Sequence, residues 1–150
     1  LTDTSVCEFL QALADMHAKT LKTISLKGCS RLSCRTSSLL ICKLQERFVE
    51  LEMIDMSGIT ISSADYQNLA RNIRDHRRLR DIRLANTGLS FVGTASAKNI
   101  VTSLLTNGQL QALDLGWNSL ETVVFKALGE GIVAQNRLSS LSLANTGSCC

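Results

Sequence analysis

The side chains best suited to metal or redox chemistry in this sequence are six cysteines and two histidines. A zinc site needs convergent ligands at short spacing, but Cys29, Cys34 and Cys42 are irregularly spaced and the sequence contains no CxxC pair. His17 and His76 are isolated and lie near predicted helix C-termini, where a partly charged imidazole suits the helix dipole. We therefore predict no metal site and no cofactor. We also predict reduced, structural cysteines, with Cys29 buried.

Carboxylates are the remaining candidates for catalysis. The sequence contains no GxSxG motif, no Gly-rich phosphate loop and no HExxH motif. One acidic pair deserves consideration, Asp55 and Asp114, which an acid–base reaction would need together in a pocket. With no other catalytic arrangement in view, we predict that the chain is not an enzyme.

The elements that carry these side chains repeat along the chain. Five segments share an apolar-x-x-apolar-x-apolar pattern, and they start at Leu21, Leu51, Leu79, Leu110 and Leu138, at spacings of 30, 28, 31 and 28 residues. The pentapeptide Leu-Ala-Asn-Thr-Gly occurs at 84–88 and again at 143–147. Self-similarity at this period indicates stacked repeats.

Within each repeat the apolar period changes from two to about four, which predicts a short strand followed by a helix. The predicted strand centres are Ile24, Ile54, Ile82, Leu113 and Leu141. In the second repeat a strand centred nearer Leu51 is the alternative register.

The helices are predicted from apolar steps of four, such as Phe9 to Leu13 and Leu120 to Val124. Asp3, Thr4 or Ser5 would cap the first helix, and Ser62 or Ser63 the third. The second helix is predicted near 37–47.

A strand plus a helix every 28 to 31 residues resembles the leucine-rich repeat, and the helix length resembles its ribonuclease-inhibitor-like class. The resemblance implies an α/β solenoid with a parallel sheet on the concave face and helices on the convex face. The usual asparagine position of the turn contains Cys29, Ile59, Thr87, Asn118 and Thr146. Only one of these is Asn, but Cys and Thr are tolerated there in this class. Ile59 is the departure from the pattern, and it puts the second turn in doubt.

In this register the fifth repeat position forms a row across the sheet. Its members are Ser25, Asp55, Arg83, Asp114 and Ser142. Neighbouring strands are about 4.8 Å apart, so Arg83 would lie between the two aspartates. An ion ladder on a polar face is the favoured interpretation, and an acid–base carboxylate pair is the alternative.

The eighth repeat position provides the clearest candidate for binding a partner. Its members are Gly28, Gly58, Asn86, Trp117 and Asn145. Trp117 is the single tryptophan of the chain, and an aromatic side chain among small residues is typical of a binding hot spot. Two interpretations remain open: Trp117 anchors a partner, with Asn86 and the polar row beside it, or it packs on the neighbouring turn.

A basic segment is the second candidate. Six arginines lie between Arg71 and Arg83, and Arg77, Arg78 and Arg80 fall in a predicted helix-to-strand loop. An acidic partner or a phosphate backbone would fit there. A net charge of +3 is mild, so nucleic acid is the lesser alternative.

Taken together, residues 1–150 are predicted to be one domain of about five leucine-rich repeats from a longer array. We expect a non-catalytic protein-interaction module of an intracellular scaffold or regulator, cytoplasmic or nuclear. Families with similar repeats include ribonuclease inhibitor, nucleotide-binding immune receptors, tropomodulin-like actin cappers and a tonsoku-type chromatin scaffold. No membrane contact is predicted, and the uncapped ends favour self-association.

Overall fold

The computed structural model describes residues 2–16 and 20–147 of the chain. Helices and strands alternate along it. The helices are α1 (Asp3–Met16), α2 (Cys34–Glu46), α3 (Ser63–Asp75), α4 (Thr94–Leu105) and α5 (Thr122–Ala134), and a short 3-10 helix spans Leu89–Val92. The strands are β1 (Thr23–Ser25), β2 (Met53–Asp55), β3 (Asp81–Arg83), β4 (Ala112–Asp114) and β5 (Ser140–Ser142).

The five strands form one parallel sheet in the order β1-β2-β3-β4-β5. All five predicted strand centres are confirmed. The second strand takes the preferred register, with Ile54 paired to Ile24 and Ile82, while Leu51 lies buried just before the strand. The α/β solenoid with a parallel concave sheet and convex helices is therefore confirmed.

Each helix packs on the next one along the chain, and together they bury an aliphatic core against the sheet. The apolar step of four is confirmed in α5, where Val124 and Leu128 are buried. In α1 the predicted face is only partly correct: Leu13 packs against the core, but Phe9 is 59% exposed. Val6 and Leu10 are the residues that are buried instead. A helix with apolar residues at adjacent positions offers two overlapping faces, and only packing on α2 selects one.

The helix starts show which capping predictions hold. Ser62 caps α3 as predicted, accepting a hydrogen bond from the Asp65 amide at 3.2 Å. The α2 helix begins three residues before its predicted start, at Cys34, because Ser33 provides its cap.

The α1 capping prediction is wrong. The hydroxyl of Thr2 accepts from the Ser5 amide at 3.4 Å, while Asp3 reaches across to the start of α2. There it accepts from the Ser33 amide at 2.9 Å and the Thr36 hydroxyl at 2.6 Å. These hydrogen bonds, Thr36 first, lower the pKa of the Asp3 carboxyl.

The central repeats of the array are more deeply buried than the last repeat. Ile82 and Leu84 are fully buried, but Leu141 and Leu143, their equivalents in the last repeat, are only partly buried.

Cys29 is also only partly buried, so the prediction of a buried thiol is wrong; it lies in the first described turn of the array. Cys7, Cys29, Cys34 and Cys42 are free thiols. His17, Cys149 and Cys150 lie outside the described residues.

Candidate functional site

The parallel sheet places two kinds of loop at opposite edges. The strand-to-helix turns, including Leu84–Gly88 and Leu115–Ser119, follow the C-terminal ends of the strands and form what we call the turn edge. The helix-to-strand loops, including Arg77, Arg78 and Arg80, form the basic edge. The predicted site residues therefore divide into two groups that do not meet.

The turn edge repeats one backbone conformation at the eighth repeat position. The φ angles there are 79° at Gly28, 85° at Gly58, 53° at Asn86, 57° at Trp117 and 54° at Asn145. This left-handed region suits Gly and tolerates Asn, but it costs a bulky residue about 1–3 kcal/mol. Trp117 is therefore the one residue at this position whose type opposes the backbone it adopts.

The side chain of Trp117 recovers little of that cost by burial. It is 64% exposed, although its backbone N–H is held in the turn by the Ala144 carbonyl at 2.7 Å. Gly116 precedes it, and a Cβ atom at Gly116 would lie 3.1 Å from the Ala144 carbonyl oxygen. The turn thus passes close to the last repeat while the indole stays largely in solvent.

Asn118 holds this turn in place. Its Oδ1 accepts hydrogen bonds from the amides of Thr87 and Leu89 at 3.3 and 3.1 Å. Its Nδ2 donates to the carbonyls of Leu84 and Leu115 at 2.8 and 3.0 Å. A single buried side chain therefore ties two successive turns together and fixes the backbone that presents Trp117.

The second turn forms despite its atypical residue. Ile59 is fully buried, and its amide donates to the Met56 carbonyl at 3.1 Å. Thr87 and Thr146 complete their turns by donating to the carbonyls of Leu84 and Leu143 at 2.7 and 2.8 Å. The position accepts either an apolar side chain or a locally bonded polar one, so it does not require asparagine.

On the concave face, the residues of the fifth repeat position align across the strands as predicted, but their charged side chains do not pair as predicted. Arg83 lies between Asp55 and Asp114, yet it donates to Asp81 on its own strand through Nε and Nη2, at 3.2 and 2.8 Å. This pairing, with weaker attraction from both row aspartates, raises the pKa of Arg83. The ion ladder is therefore wrong as a set of cross-strand pairs.

The two row aspartates instead bind backbone amides. Asp55, which is 2% exposed, accepts from the Ser57 amide at 3.0 Å, and Asp114 accepts from the Gly116 amide at 2.9 Å. Both bonds close a local turn at the end of a strand. This is a structural use of the carboxylates, so the acid–base pair receives no support from the geometry.

The row also lines a shallow groove of about 230 Å³ that crosses the sheet. Lys27, Asp81 and Arg83 contribute charged groups to its walls, and Ser140 and Ser142 contribute hydroxyls. A polar groove beside the turn edge gives the concave face a surface that a peptide segment or a partner side chain can enter.

The basic edge carries less free charge than the sequence indicates. Arg78 pairs with Glu50 at 3.6 Å. Two further arginines of the segment, Arg74 and Arg83, also form salt bridges, although neither lies in the helix-to-strand loop. Lys22 pairs with Glu52 at 3.1 Å, and this hydrogen-bonded neighbour holds the pKa of the Glu52 carboxyl below its usual value. Arg77 and Arg80 are exposed.

Buried polar side chains that we did not predict hold the basic edge together. His76 contacts the Phe48 carbonyl at 3.0 Å, Asn107 donates to the His76 carbonyl at 3.0 Å, and Gln135 donates to the Asn107 carbonyl at 2.9 Å. Each side chain thus reaches the equivalent position one repeat earlier. Their spacings of 28, 31 and 28 residues match the repeat period, which is the sequence signal that would have identified them.

The environment of His76 corrects its predicted role. The ring is 7% exposed, and Nδ1 accepts from the amides of Arg78 and Leu79 at 3.3 and 3.1 Å. With Nδ1 an acceptor, Nε2 carries the proton toward the Phe48 carbonyl. His76 therefore links the loop after α2 to the loop after α3 through its two ring nitrogens, rather than serving only as a cap for the helix dipole.

The following two statements about metal ligands and membrane spans hold for residues 2–16 and 20–147 of the chain. Within these ranges, no three His, Cys, Asp or Glu side chains are grouped so as to hold a metal ion. No helix there combines the length and apolar character needed to cross a membrane.

Comparison with solved structures identifies the fold. The actin-binding site 2 of leiomodin-1 matches with a TM-score of 0.72 at 9% sequence identity, over 93% of this chain and 77% of that one. The tropomodulin C-terminal domain of Caenorhabditis elegans matches with a TM-score of 0.75 at 16% identity, over 95% of this chain and 83% of that one. The chain shares their fold. No family model and no curated protein matches the sequence.

These neighbours correct the predicted subclass. The ribonuclease-inhibitor-like assignment is wrong, because the matching structures are tropomodulin and leiomodin domains. That assignment depended on repeat and helix length, which different repeat proteins share.

Proposed function

We propose that this chain is a non-catalytic protein-interaction module whose turn edge and concave groove contact the partner, with Trp117 as the anchor. The observation that carries the proposal is Trp117 itself, 64% exposed in a left-handed conformation that its side chain disfavours. Strain of this kind persists where surrounding contacts enforce it, and it concentrates at functional sites. The residues that contribute most to binding energy at protein interfaces are enriched in tryptophan.

The surroundings of Trp117 suit an anchor. Asn86 and Asn145 occupy the equivalent positions of the adjacent turns, so no large side chain crowds the indole there. The nearby groove offers Arg83 and Asp114 for polar contacts, with Asp55 buried at its floor. A partner would bury the indole at the turn edge and make hydrogen bonds along the concave face.

Actin is the partner we propose to test first. The support is the fold shared with a leiomodin domain described as an actin-binding site and with the C-terminal domain of tropomodulin. The salt bridge of Arg78 with Glu50 disfavours the alternative of a nucleic-acid track along the basic edge. The four free thiols agree with an intracellular setting, which is part of the proposal.

The proposal also covers the domain boundaries. We propose that residues 1–150 form one repeat domain within a longer array, since Leu141 and Leu143 are less buried than their equivalents in the third repeat. A following repeat would complete their burial. Self-association through this end stays a prediction.

The test measures binding of monomeric actin by calorimetry to the wild-type chain and to Trp117→Asn. Asn occupies the same position in two neighbouring turns, so the substitution removes the indole and keeps the backbone. We expect binding by the wild type and a loss of about 2 kcal/mol, or about thirtyfold in Kd, in the variant.

Val133→Ser is the matched control, because Val133 is 88% exposed on α5, in the helix layer of the opposite face. It should bind as the wild type does. Absence of actin binding by the wild-type chain would remove actin as the partner. Equal affinities for wild type and Trp117→Asn would remove Trp117 as the anchor.

A further inference from the structure

The convex face contains a groove of about 270 Å³ between α3 and α4 that is lined mainly by polar side chains. One wall comes from α3 and the other from α4, at spacings of three and four residues that place each set on one helix face. The polar side chains that line it are Gln67, Arg71, Arg74, Ser96, Asn99 and Ser103. All six can donate hydrogen bonds, and none is a carboxylate.

The charge in this groove is only partly neutralised. Arg74 donates to Asp75 through Nε and Nη2, at 3.0 and 3.2 Å, and this lowers the pKa of the Asp75 carboxyl. Asp65, the other acidic residue of α3, accepts from the hydroxyls of Ser38 and Ser62. Within residues 2–16 and 20–147, the side chain of Arg71 is exposed and forms no ion pair or hydrogen bond.

The opposite wall adds donors without adding negative charge. The sequence of α4 is TASAKNIVTSLL, which contains no acidic residue. By contrast, the groove between α4 and α5 has a volume of about 500 Å³ and is lined by Glu130 and by apolar residues such as Leu105 and Ala127, with no cation. Of these two interhelical grooves, only the one between α3 and α4 is suited to an anion.

We propose that this groove binds a phosphate group carried by a phosphorylated peptide. Arg71 supplies the uncompensated charge and a planar set of N–H donors. Asn99 and Ser103 on the other wall supply neutral donors to the remaining oxygens. A phosphate group accepts hydrogen bonds in several directions at once, so it can contact both walls, whereas a planar carboxylate meets mainly the Arg71 side. The site is independent of Trp117 and of the turn edge.

The experiment is an NMR titration of the full ¹⁵N-labelled chain at constant ionic strength. Inorganic phosphate tests the chemistry of the groove, and sodium chloride is the control for ionic strength. A phosphoserine peptide and its unphosphorylated form test the source of the phosphate. We expect saturable shifts of amides in α3 and α4 with phosphate and with the phosphopeptide, and about tenfold weaker binding of the unphosphorylated peptide.

Two variants with the same change in net charge distinguish a specific phosphate site from nonspecific electrostatic attraction. Arg71→Gln should weaken phosphate binding about tenfold, while Arg77→Gln, outside the groove on the basic edge, should leave it unchanged. Shifts reproduced by chloride, or equal losses in the two variants, would overturn the proposal. So would a single-stranded oligonucleotide that binds more tightly than the phosphopeptide, because it would indicate an extended basic track.

Discussion

The turns of the third and fourth repeats have the same backbone and opposite side-chain chemistry. In the third, Asn86 occupies the left-handed position, which its short polar side chain tolerates. In the fourth, Trp117 occupies that position at nearly the same φ, and the next residue, Asn118, binds both turns. The third turn is thus built from a residue type that suits its backbone conformation. The fourth turn contains Trp117, which does not suit that conformation, because its neighbour Asn118 enforces it.

The largest loss of stability is expected from removing Asn118, the residue that enforces the turn conformation at Trp117. Asn118→Ala would leave the buried amides of Thr87 and Leu89 without their side-chain acceptor and the Leu115 carbonyl without a donor. Each unsatisfied buried group costs about 1–3 kcal/mol, so we expect a loss of about 3 kcal/mol or more in the free energy of unfolding. Urea unfolding followed by circular dichroism measures it.

Asn136→Ala is the matched control, because Asn136 is exposed in the loop after α5 and should be nearly neutral. If Asn118→Ala unfolds at the same urea concentration as this control, Asn118 does not hold the turn, and the explanation offered for the Trp117 backbone is wrong.

A smaller effect on stability is expected from Tyr66, which supports the third turn from the core. Tyr66 is fully buried and hydrogen-bonds to the Thr87 hydroxyl, and burial raises the pKa of its phenol. The unfolded phenol ionises near pH 10 while the folded one stays neutral. Stability should therefore be unaffected by this group below about pH 10 and fall by about 1.4 kcal/mol per pH unit above it.

Tyr66→Phe isolates that contribution, since other groups also titrate in alkali. The variant should lose about 1 kcal/mol at neutral pH through the lost hydrogen bond, and it should show a shallower decline above pH 10. Parallel stability curves for wild type and variant between pH 9 and 11 would show that the phenol is not protected by burial, and the third turn would then be less rigid than we describe.

The repeat architecture could be predicted from the sequence because the pattern of buried residues is visible within each short segment. Ile54, Ile82 and Leu113 each lie in an alternating segment, and their spacing fixes the strand register without knowledge of the tertiary structure. Phe9 shows the limit of that reasoning, since two overlapping apolar faces are available in α1 and the choice depends on how α2 packs.

The site was less predictable because its key property is a backbone angle. The sequence placed Trp117 in line with two glycines and two asparagines, and that composition is itself the mark of a left-handed position. The pairing of Arg83 with Asp81 was missed because the row was treated as isolated from its flanking residues. The links from His76 and Asn107 become apparent only when polar residues near helix ends are compared at the repeat period, because no single one of them indicates a contact with the preceding repeat.

The most direct test of the central claim is the stability of Trp117→Asn relative to wild type by urea unfolding, without any partner present. If Trp117 is held outward for binding, Asn relieves the strained backbone and removes little packing. We then expect a free energy of unfolding that is unchanged or higher by up to about 1 kcal/mol. A loss of more than about 1 kcal/mol would show that the indole stabilises the fold by packing, and that result would contradict the account.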